Sequence, residues 1–409
     1  MSYLRYSLLS IASAFSAISI NAFATDPITL PEPTGPFAVG RTLHYIDTDQ
    51  DEPWTEVADD KRELPLLIWY PTDIKSGSSP DYLPYGKEAN SERFNAVREW
   101  SSKLTTHSLQ DVPIASTPKA FPIIVFSPGT GTGPWGYHMI LEDLASHGFI
   151  AVGIDHPYQG SGQILRNGTF IQPAPGVTFD PKSEEGSEEY AIELQDWYMG
   201  LSDTRTDDIR SAVKALRDLN VEADGLFHDR LDLDRIGTLG HSMGGIAAAH
   251  ALTDVDGIQS GVNIDGHFDN LTFDPARTPA KPFMAIKAEG PIPSDELLHN
   301  EGFTRERYVS AWRTIYNQQA ATYRQIEQGA YRIVIDGAHH SSVHDNFLIR
   351  SQDTTYEGGN PIDIVKAART YLLAFFQKTL LGTRNTALDI MPEELYSFTS
   401  VEQFRRSSQ

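Results

Sequence analysis

The feature of this chain that most constrains its fold is the stretch 234–251. Its first part, residues 236–239, is a short apolar run after an Asp-Arg pair, which is typical of a buried parallel strand. Its last part, residues 245–251, is small and alanine-rich, which favours a helix packed closely against a sheet. The two parts are joined by a Gly-x-Ser-x-Gly motif, Gly240-His241-Ser242-Met243-Gly244. The sequence therefore predicts a sharp turn from strand into helix with a serine at its centre.

The two glycines of this motif are needed for a steric reason. A strand that turns directly into a helix holds the central residue in a strained backbone conformation, and side chains two positions before and after it would collide. Glycine at positions 240 and 244 removes the collision. Ser242 then projects at a helix N-terminus, where the N–H of Met243 is free to donate to an oxyanion. We predict Ser242 as a nucleophile and Met243 N–H as an oxyanion donor.

A second glycine-rich segment, 127–133, directly follows the apolar run 121–126. A glycine-rich loop after a strand can bind phosphate, but the lysine of a P-loop is missing here. A loop that presents backbone N–H groups to an oxyanion fits the segment better. The sequence therefore predicts Thr130 N–H as the other oxyanion donor.

The remaining pattern predicts an α/β fold with a mostly parallel central sheet. The apolar runs 121–126 and 149–154 flank an amphipathic helical pattern, and strand, helix and strand at this spacing imply a right-handed parallel crossover. Helices are predicted over 91–104, 135–146, 188–219 and 363–380. Further strands are predicted at 41–49 and 63–70, as an antiparallel pair, and at 261–265, 282–287 and 331–335.

The domain organisation predicted is a leader followed by one domain. Residues 1–24 have the pattern of a cleavable signal peptide, with Arg5 before the apolar core 7–20 and an Ala-x-Ala site ending at Ala24. We expect a periplasmic or secreted protein. Residues 25–409 form a single domain, with insertions at about 157–189 and 291–329 that we expect to form a rim, lid or cap.

Composition excludes several classes of function. The formal net charge of −22 argues against nucleic acid and against anionic membrane surfaces as partners. The chain has no cysteine, which excludes thiol catalysis, disulfides and a lipoprotein attachment site.

A serine nucleophile needs a base to take its proton and an acid to orient that base. In α/β enzymes of this kind these follow the serine in the order acid, then base. Asp265 and Glu289 each stand at the end of a predicted strand, and both are candidates for the acid. His339, His340 and His344 are candidates for the base. His340 and His344 are four residues apart and could also suggest a metal site, but a polar loop is the simpler interpretation, and we predict no metal and no cofactor.

At this point the sequence resembles the plasma-type (group VII) platelet-activating-factor acetylhydrolases and their bacterial relatives. The likeness spans most of the chain after the leader. It rests on four stretches: 34–40 (Thr-Gly-Pro-Phe-Ala-Val-Gly), 126–131 (Phe-Ser-Pro-Gly-Thr-Gly), 144–150 (Leu-Ala-Ser-His-Gly-Phe-Ile) and 240–245 (Gly-His-Ser-Met-Gly-Gly). One departure is Pro128, which stands where the family has a histidine.

The resemblance implies an α/β-hydrolase fold with helices on both faces of the sheet, and it assigns roles to residues. It implies Ser242 as nucleophile, Asp265 rather than Glu289 as acid, and His340 as base because of its spacing from Gly337. It also implies the N–H groups of Thr130 and Met243 as oxyanion donors.

The activity implied is hydrolysis of carboxylic esters through an acyl-enzyme, without a cofactor. The expected substrates are short or oxidised acyl esters of phospholipid-like molecules, with transient contact with a lipid interface. Dienelactone-hydrolase-like or cutinase-like esterases, and an acyltransferase on the same fold, are alternatives. The sequence makes no prediction of oligomeric state.

Overall fold

A computed structural model describes residues 27–57, 59–84, 92–117, 119–184, 187–267, 277–300, 302–352 and 356–405. The strands are β1 (Ile28–Thr29), β2 (Ala38–Asp51), β3 (Lys61–Thr72), β4 (Leu104–Thr105), β5 (Leu109–Gln110), β6 (Phe121–Ser127), β7 (Ile150–Ile154), β8 (Gln163–Ile164), β9 (Phe170–Ile171), β10 (Leu231–His241), β11 (Ile258–Ile264), β12 (Phe283–Glu289), β13 (Ala330–Asp336) and β14 (Thr399–Phe404). The α-helices are α1 (Glu92–Ser101), α2 (His138–Ser146), α3 (Glu188–Val221), α4 (Met243–Asp254), α5 (Asp295–Asn300), α6 (Arg305–Tyr323), α7 (Phe347–Arg350), α8 (Pro361–Leu380) and α9 (Pro392–Leu395). Short 3-10 segments occupy Pro134–Tyr137 and Ala387–Asp389.

The central sheet has ten strands in the spatial order β14-β13-β12-β11-β10-β6-β7-β3-β2-β5. The six neighbours from β13 to β7 are parallel. β3 runs antiparallel to both β2 and β7, and β14 runs antiparallel to β13. The predicted mostly parallel sheet and the predicted antiparallel pair at its start are therefore confirmed. The carboxyl ends of the parallel strands meet at one edge, where open α/β sheets bind ligands.

Helices cover both faces of the sheet, as predicted. On one face, a buried apolar cluster includes Met139 of α2 and Phe375 of α8. On the other face, a second cluster includes Ile209 of α3 and Ala247 of α4. Both faces of the parallel strands are thus removed from water, which explains why these strands are almost entirely apolar.

Helix α2 differs from the prediction, because all nine of its residues are buried and it has no exposed face. Its polar residues are satisfied by distant segments. Asp143 Oδ1 accepts the N–H of Thr34 at 2.8 Å, and Glu142 Oε1 accepts the N–H of Ser108 at 2.9 Å. The predicted helix is therefore present, but its polar side packs inside the protein instead of facing water, and Gly148, with φ of 87°, follows the helix as expected.

The two segments predicted as insertions each come within a few residues of the end of a parallel strand, β7 for 157–189 and β12 for 291–329. Segment 157–189 contains the small hairpin β8–β9 and reaches the start of α3. Segment 291–329 contains α5 and α6, and the end of α6 packs on the sheet through Ala320 and Tyr323. The predicted leader, 1–24, lies outside the described residues. Among the helices of the described ranges, none is long and apolar enough to cross a membrane.

Candidate active site

The turn between β10 and α4 has the strained geometry that the motif predicts. Ser242 has φ of 55° and ψ of −123°, a conformation that non-glycine residues rarely adopt. A Cβ atom added at Gly240 would overlap the carbonyl of Gly244, and one added at Gly244 would overlap the carbonyl of Ser127. The steric reason for glycine at both positions is therefore confirmed. The N–H of Ser242 donates to Ile264 O at 2.9 Å, which ties the turn to the end of β11.

The predicted acid and base meet at the same edge of the sheet. Asp265 follows β11, and His340 follows β13 and Gly337. His340 Nδ1 lies 2.7 Å from Asp265 Oδ2. An ionised carboxylate can only accept, so the Nδ1–H donates and Nε2 is left without a proton, ready to act as a base. We call Ser242, Asp265 and His340 the elbow set.

Two contacts hold the elbow set together around Ser242. The preceding residue, His241, places its Nε2 at 2.7 Å from His340 O, and the two imidazole rings are 4.7 Å apart. Gly266, which follows the acid, lies directly against the carbonyl of Ser242, so a Cβ there would overlap it. The three predicted residues therefore come from separate strand ends that pack against one another.

Lys287 is a site residue that the sequence reasoning missed. Its Nζ lies 3.2 Å from Asp265 Oδ1 and donates to Gly266 O at 3.3 Å. Burial acts to raise the pKa of Asp265, but the charge of Lys287 and the hydrogen bond with His340 outweigh it and hold that pKa below its usual range. The acid is therefore ionised at neutral pH. A lysine directly after the four apolar residues that begin strand β12 was the available signal.

The other candidates from the sequence have other partners. Glu289 is exposed at the end of β12, and its backbone oxygen accepts the N–H of Gly337 at 2.8 Å. His339 Nε2 lies 2.6 Å from Glu357 O. His344 is buried between Thr132 Oγ1, at 2.9 Å, and Asn346 Oδ1, at 2.8 Å. Asp265 and His340 are the pair that the structure brings together.

The side chains of His339, His340 and His344 each have a different hydrogen-bond partner. Burial lowers the pKa of His344 to about 3, so this ring is neutral at ordinary pH. Over the described part of the chain, no group of three or more His, Cys, Asp or Glu side chains is arranged to hold a metal ion.

The glycine-rich loop after β6 runs beside the turn at Ser242. Gly129 N–H donates to Tyr137 Oη at 3.1 Å, and Gly131 N–H donates to Gln159 O at 2.9 Å. Thr130, between them, is exposed, and no acceptor for its N–H is found among the described residues. Met243 is the first residue of α4, where a helix offers its own N–H groups no acceptor. The oxyanion roles of Thr130 and Met243 stay predictions.

His241 connects the glycine-rich loop to the base. Burial lowers its pKa to about 3, so the ring is neutral and carries one proton. Because His340 O can only accept, that proton is on Nε2, and Nδ1 then accepts from Tyr137 O–H at 2.8 Å. Tyr137 Oη accepts in turn from Gly129 N–H. Sequence reasoning assigned no role to this histidine.

Aromatic side chains pack beside Met243. Met243 forms a buried cluster with Leu201 and Ile246, and the half-buried side chains packed on it are Trp54, Trp197 and Tyr198. The Tyr198 ring is 5.6 Å from the ring of His267, two residues after the acid. The first half of α3 therefore supplies an apolar wall close to the elbow set.

Two protein-family models match the chain. The model of the alpha/beta hydrolase family matches residues 124–357. The model described as platelet-activating factor acetylhydrolase, isoform II, matches residues 23–164. A solved structure of a ferulic acid esterase from Streptomyces cinnamoneus superposes with a TM-score of 0.66 at 20% identity, over 92% of this chain and 99% of that one. At that identity the likeness supports the fold alone.

Three curated relatives fit the resemblance found in the sequence. The platelet-activating factor acetylhydrolase of Cavia porcellus is 24% identical over 58% of this chain and 55% of its own length, and that of Canis lupus familiaris is 28% identical over 49% of each. A probable 1-alkyl-2-acetylglycerophosphocholine esterase of Arthroderma benhamiae is 26% identical over 63% of this chain and 64% of its own length.

The matched regions thus span about half to two thirds of the curated relatives. The resemblance to the platelet-activating-factor acetylhydrolases is confirmed. The alpha/beta hydrolase model covers more than half of the chain, including Ser242, Asp265 and His340. Together with the ten-stranded sheet, this match shows that the chain belongs to the alpha/beta hydrolase family.

Proposed function

We propose that this protein is a serine esterase that cleaves carboxylic esters through an acyl-enzyme at Ser242. The observation that carries the proposal is the 2.7 Å contact between His340 Nδ1 and Asp265 Oδ2, at the sheet edge where the strained Ser242 projects. An imidazole oriented by a carboxylate beside such a serine is the arrangement that acyl transfer requires.

In the first half of the reaction, Ser242 Oγ attacks the acyl carbon of the ester while His340 Nε2 takes the hydroxyl proton. The carbonyl oxygen becomes an oxyanion, which accepts hydrogen bonds from the N–H groups of Thr130 and Met243. His340 then returns its proton to the alcohol oxygen as the bond between that oxygen and the acyl carbon breaks. The alcohol leaves, and the acyl group remains on Ser242.

In the second half, water attacks the acyl-enzyme by the same route. His340 Nε2 takes a proton from the water, and a second oxyanion forms at the same position. The proton passes to Ser242 Oγ as its bond to the acyl carbon breaks, and the carboxylic acid is released. Asp265 stays ionised throughout and stabilises the imidazolium that forms in each half.

The proposed substrates carry short or oxidised acyl groups on a phospholipid-like alcohol. This choice is supported by the matches to proteins named platelet-activating factor acetylhydrolase and 1-alkyl-2-acetylglycerophosphocholine esterase. We further propose that the protein acts in the periplasm or outside the cell. N-terminal sequencing of the exported protein tests this location, and the result expected is cleavage after Ala24.

A graded ester panel tests the function. Wild type and Ser242→Ala would be assayed on p-nitrophenyl acetate, butyrate, octanoate and palmitate, on a 1-alkyl-2-acetylglycerophosphocholine, and on a long-chain phosphatidylcholine. We expect wild type to hydrolyse the acetyl esters, kcat/KM to fall with acyl length, and the variant to be inactive. Equal rates in the variant would reject the serine mechanism, and a preference for the longest chains would reject the proposed substrate class.

A further inference from the structure

A second combination of serine, histidine and aspartate lies behind the glycine-rich loop. Ser127, the last residue of β6, places Oγ at 2.8 Å from His156 Nε2, and His156 Nδ1 lies 2.7 Å from Asp208 Oδ2. All three are buried, with side chains no more than 1% exposed. We call Ser127, His156 and Asp208 the buried set.

The protons of the buried set can be placed from its charges. Burial acts to raise the pKa of Asp208, but Arg62 outweighs it and lowers that pKa to about 2, so the carboxylate is ionised. Arg62 donates from Nε to Oδ1 at 2.7 Å and from Nη2 to Oδ2 at 2.9 Å. Burial lowers the pKa of His156 to about 4, so its ring is neutral. Nδ1–H therefore donates to Asp208, and Nε2 accepts from the hydroxyl of Ser127.

The buried set has the residue types of a catalytic triad but cannot meet a substrate. Ser127 has no exposed surface, and its backbone is in regular parallel pairing with Gly240 of β10. What the set does touch is the start of the loop that carries Thr130, three residues further on. Its hydrogen bonds therefore fix the first residue of that loop.

Arg205 fixes the same loop on both sides of Thr130. It stands on α3, three residues before Asp208 and so on the same helix face, and it is fully buried. Its Nη1 donates to Pro128 O, and its Nε donates to Gln159 Oε1 at 2.6 Å. The backbone oxygen of Gln159 accepts the N–H of Gly131 at 2.9 Å. One guanidinium thus holds a carbonyl before Thr130 and, through Gln159, an amide after it.

We propose that Arg205, together with the buried set, is a positioning device that aims the N–H of Thr130 at the oxyanion. A donor fixed before the reaction stabilises the oxyanion without reorganisation during the step, which is why its orientation matters to the rate. A buried guanidinium is costly unless its donors are used, and here one donates to Pro128 O of the loop and another to Gln159, whose backbone oxygen holds the loop. The inference rests on the proposed function, because it needs an oxyanion to form beside Thr130.

The variant Arg205→Lys tests the proposal. Lysine keeps the charge but lacks the planar fork, so one side chain can no longer hold Pro128 O and Gln159 together. Loss of one oxyanion donor typically costs a hundredfold or more, so a misaimed donor should lower kcat by roughly ten- to a hundredfold. KM for p-nitrophenyl acetate should stay within about twofold, because the loss is in the transition state.

A transition-state analogue separates positioning from stability. Trigonal butylboronic acid accepts an electron pair from Ser242 Oγ and becomes a tetrahedral boronate, while the hydroxyl proton passes to His340 Nε2. One boron-bound oxygen then occupies the oxyanion position. If the loop positions the donor, Arg205→Lys should weaken binding of butylboronic acid by the same factor as kcat falls. Rates are expressed per active site, counted by end-point titration with a fluorophosphonate, so that a merely unstable variant keeps its kcat per site.

Arg230→Lys is the matched control, because Arg230 also donates to loop carbonyls but at the amino end of β6. Its Nη1 donates to Thr117 O at 2.8 Å, and Nη2 donates to Ala115 O. This variant should keep kcat per site and boronate affinity. Ser127→Ala is a milder second variant, expected to lower kcat by roughly two- to tenfold with KM unchanged, and it carries the test if Arg205→Lys does not fold.

The outcomes are distinguishable. An inactive wild type would overturn both the proposed function and this inference. An active wild type, with Arg205→Lys and Ser127→Ala unchanged in kcat per site and in boronate affinity, would overturn the inference alone. Equal losses in Arg230→Lys and Arg205→Lys would also overturn it, because the effect would then be general destabilisation.

Discussion

The elbow set and the buried set contain the same three residue types, and in each a histidine is paired with an aspartate, yet the two sets differ in access to solvent and in the backbone at the serine. In each, an imidazole Nδ1 lies 2.7 Å from an aspartate oxygen. The His340 side chain is 37% exposed, whereas that of His156 is 1% exposed. Ser242 is held in a strained turn, whereas Ser127 continues a regular strand. Access and backbone geometry at the serine, rather than residue type, separate a candidate catalytic set from a structural one.

The two sets also show a shared requirement. Each aspartate is paired with a buried cation as well as with its histidine: Lys287 beside Asp265, and Arg62 beside Asp208. In both cases the cation keeps the pKa of the carboxyl low despite burial. A buried carboxylate that must accept from a histidine needs such compensation, whether its purpose is orientation for catalysis or orientation of a loop.

The largest expected difference between the sets is at their serines. Ser242→Ala should lower kcat by on the order of a millionfold, because the nucleophile is lost. Ser127→Ala should lower it by roughly two- to tenfold, because only an orienting hydrogen bond is lost. Both would be measured as p-nitrophenyl acetate hydrolysis per folded protein, with folding checked by circular dichroism. A larger loss at position 127 than at 242 would reverse the comparison.

The next largest losses of activity are expected for substitutions of the acid and the base of the elbow set. His340→Ala should be nearly as damaging as Ser242→Ala, and Asp265→Asn should lower kcat by roughly ten-thousandfold because it favours the wrong tautomer. Glu289→Gln is the matched control, since Glu289 is the strand-end carboxylate without a contact to the base, and it should be mild. A crippled Glu289→Gln enzyme beside a mild Asp265→Asn enzyme would show that the acid is misassigned.

A pH titration of stability sharpens the contrast between the two histidines. The pKa of His156 is about 4 in the folded protein, below its value of about 6.5 in the unfolded chain. The contribution of His156 to stability is therefore fully present above pH 6.5, and it is lost as the pH falls from about 6.5 toward about 4. His156→Gln removes this contribution. The decrease in the free energy of unfolding between pH 7 and pH 5 should therefore be on the order of 1–2 kcal/mol smaller in the variant than in wild type. Equal decreases, measured by urea unfolding, would show that His156 is not buried as a neutral ring.

The smallest expected effect is that of metal removal. The elbow set can carry out the proposed reaction with its own side chains, so EDTA should leave ester hydrolysis unchanged and added zinc should not raise it. His339→Ala and His344→Ala should each cost far less activity than His340→Ala. Metal-dependent turnover would instead make these histidines ligands, contrary to their separate hydrogen-bond partners in the structure.

Local features of the fold were predictable from the sequence. The strained turn was predictable from the motif 240–244, and the collision that Gly240 avoids is with the carbonyl of Gly244, only four residues away. The parallel strands were predictable because both of their faces are buried, which leaves continuous apolar runs. In both cases, the information lies within a short stretch of the chain.

Features that depend on distant partners were not predictable in this way. The residues alone left Asp265 and Glu289 open, because both end a strand and only the position of His340 separates them. The complete burial of helix α2 was not predictable, because the partners of Glu142 and Asp143, at 108 and 34, are far away along the chain. In the sequence, Arg205 is indistinguishable from an arginine on the exposed face of a helix. Its hydrogen bond to Pro128 O forms only in the folded chain.

The central claim is that Ser242, and not Ser127, is the reactive serine. It is tested most directly by reaction with an alkyl fluorophosphonate, in which a P–O bond forms to the serine and fluoride leaves, followed by intact-mass and peptide mass spectrometry. We predict one adduct per wild-type chain, located on the peptide that contains Ser242, and none in Ser242→Ala. An adduct on Ser127, or undiminished labelling of the Ser242→Ala variant, would contradict the account.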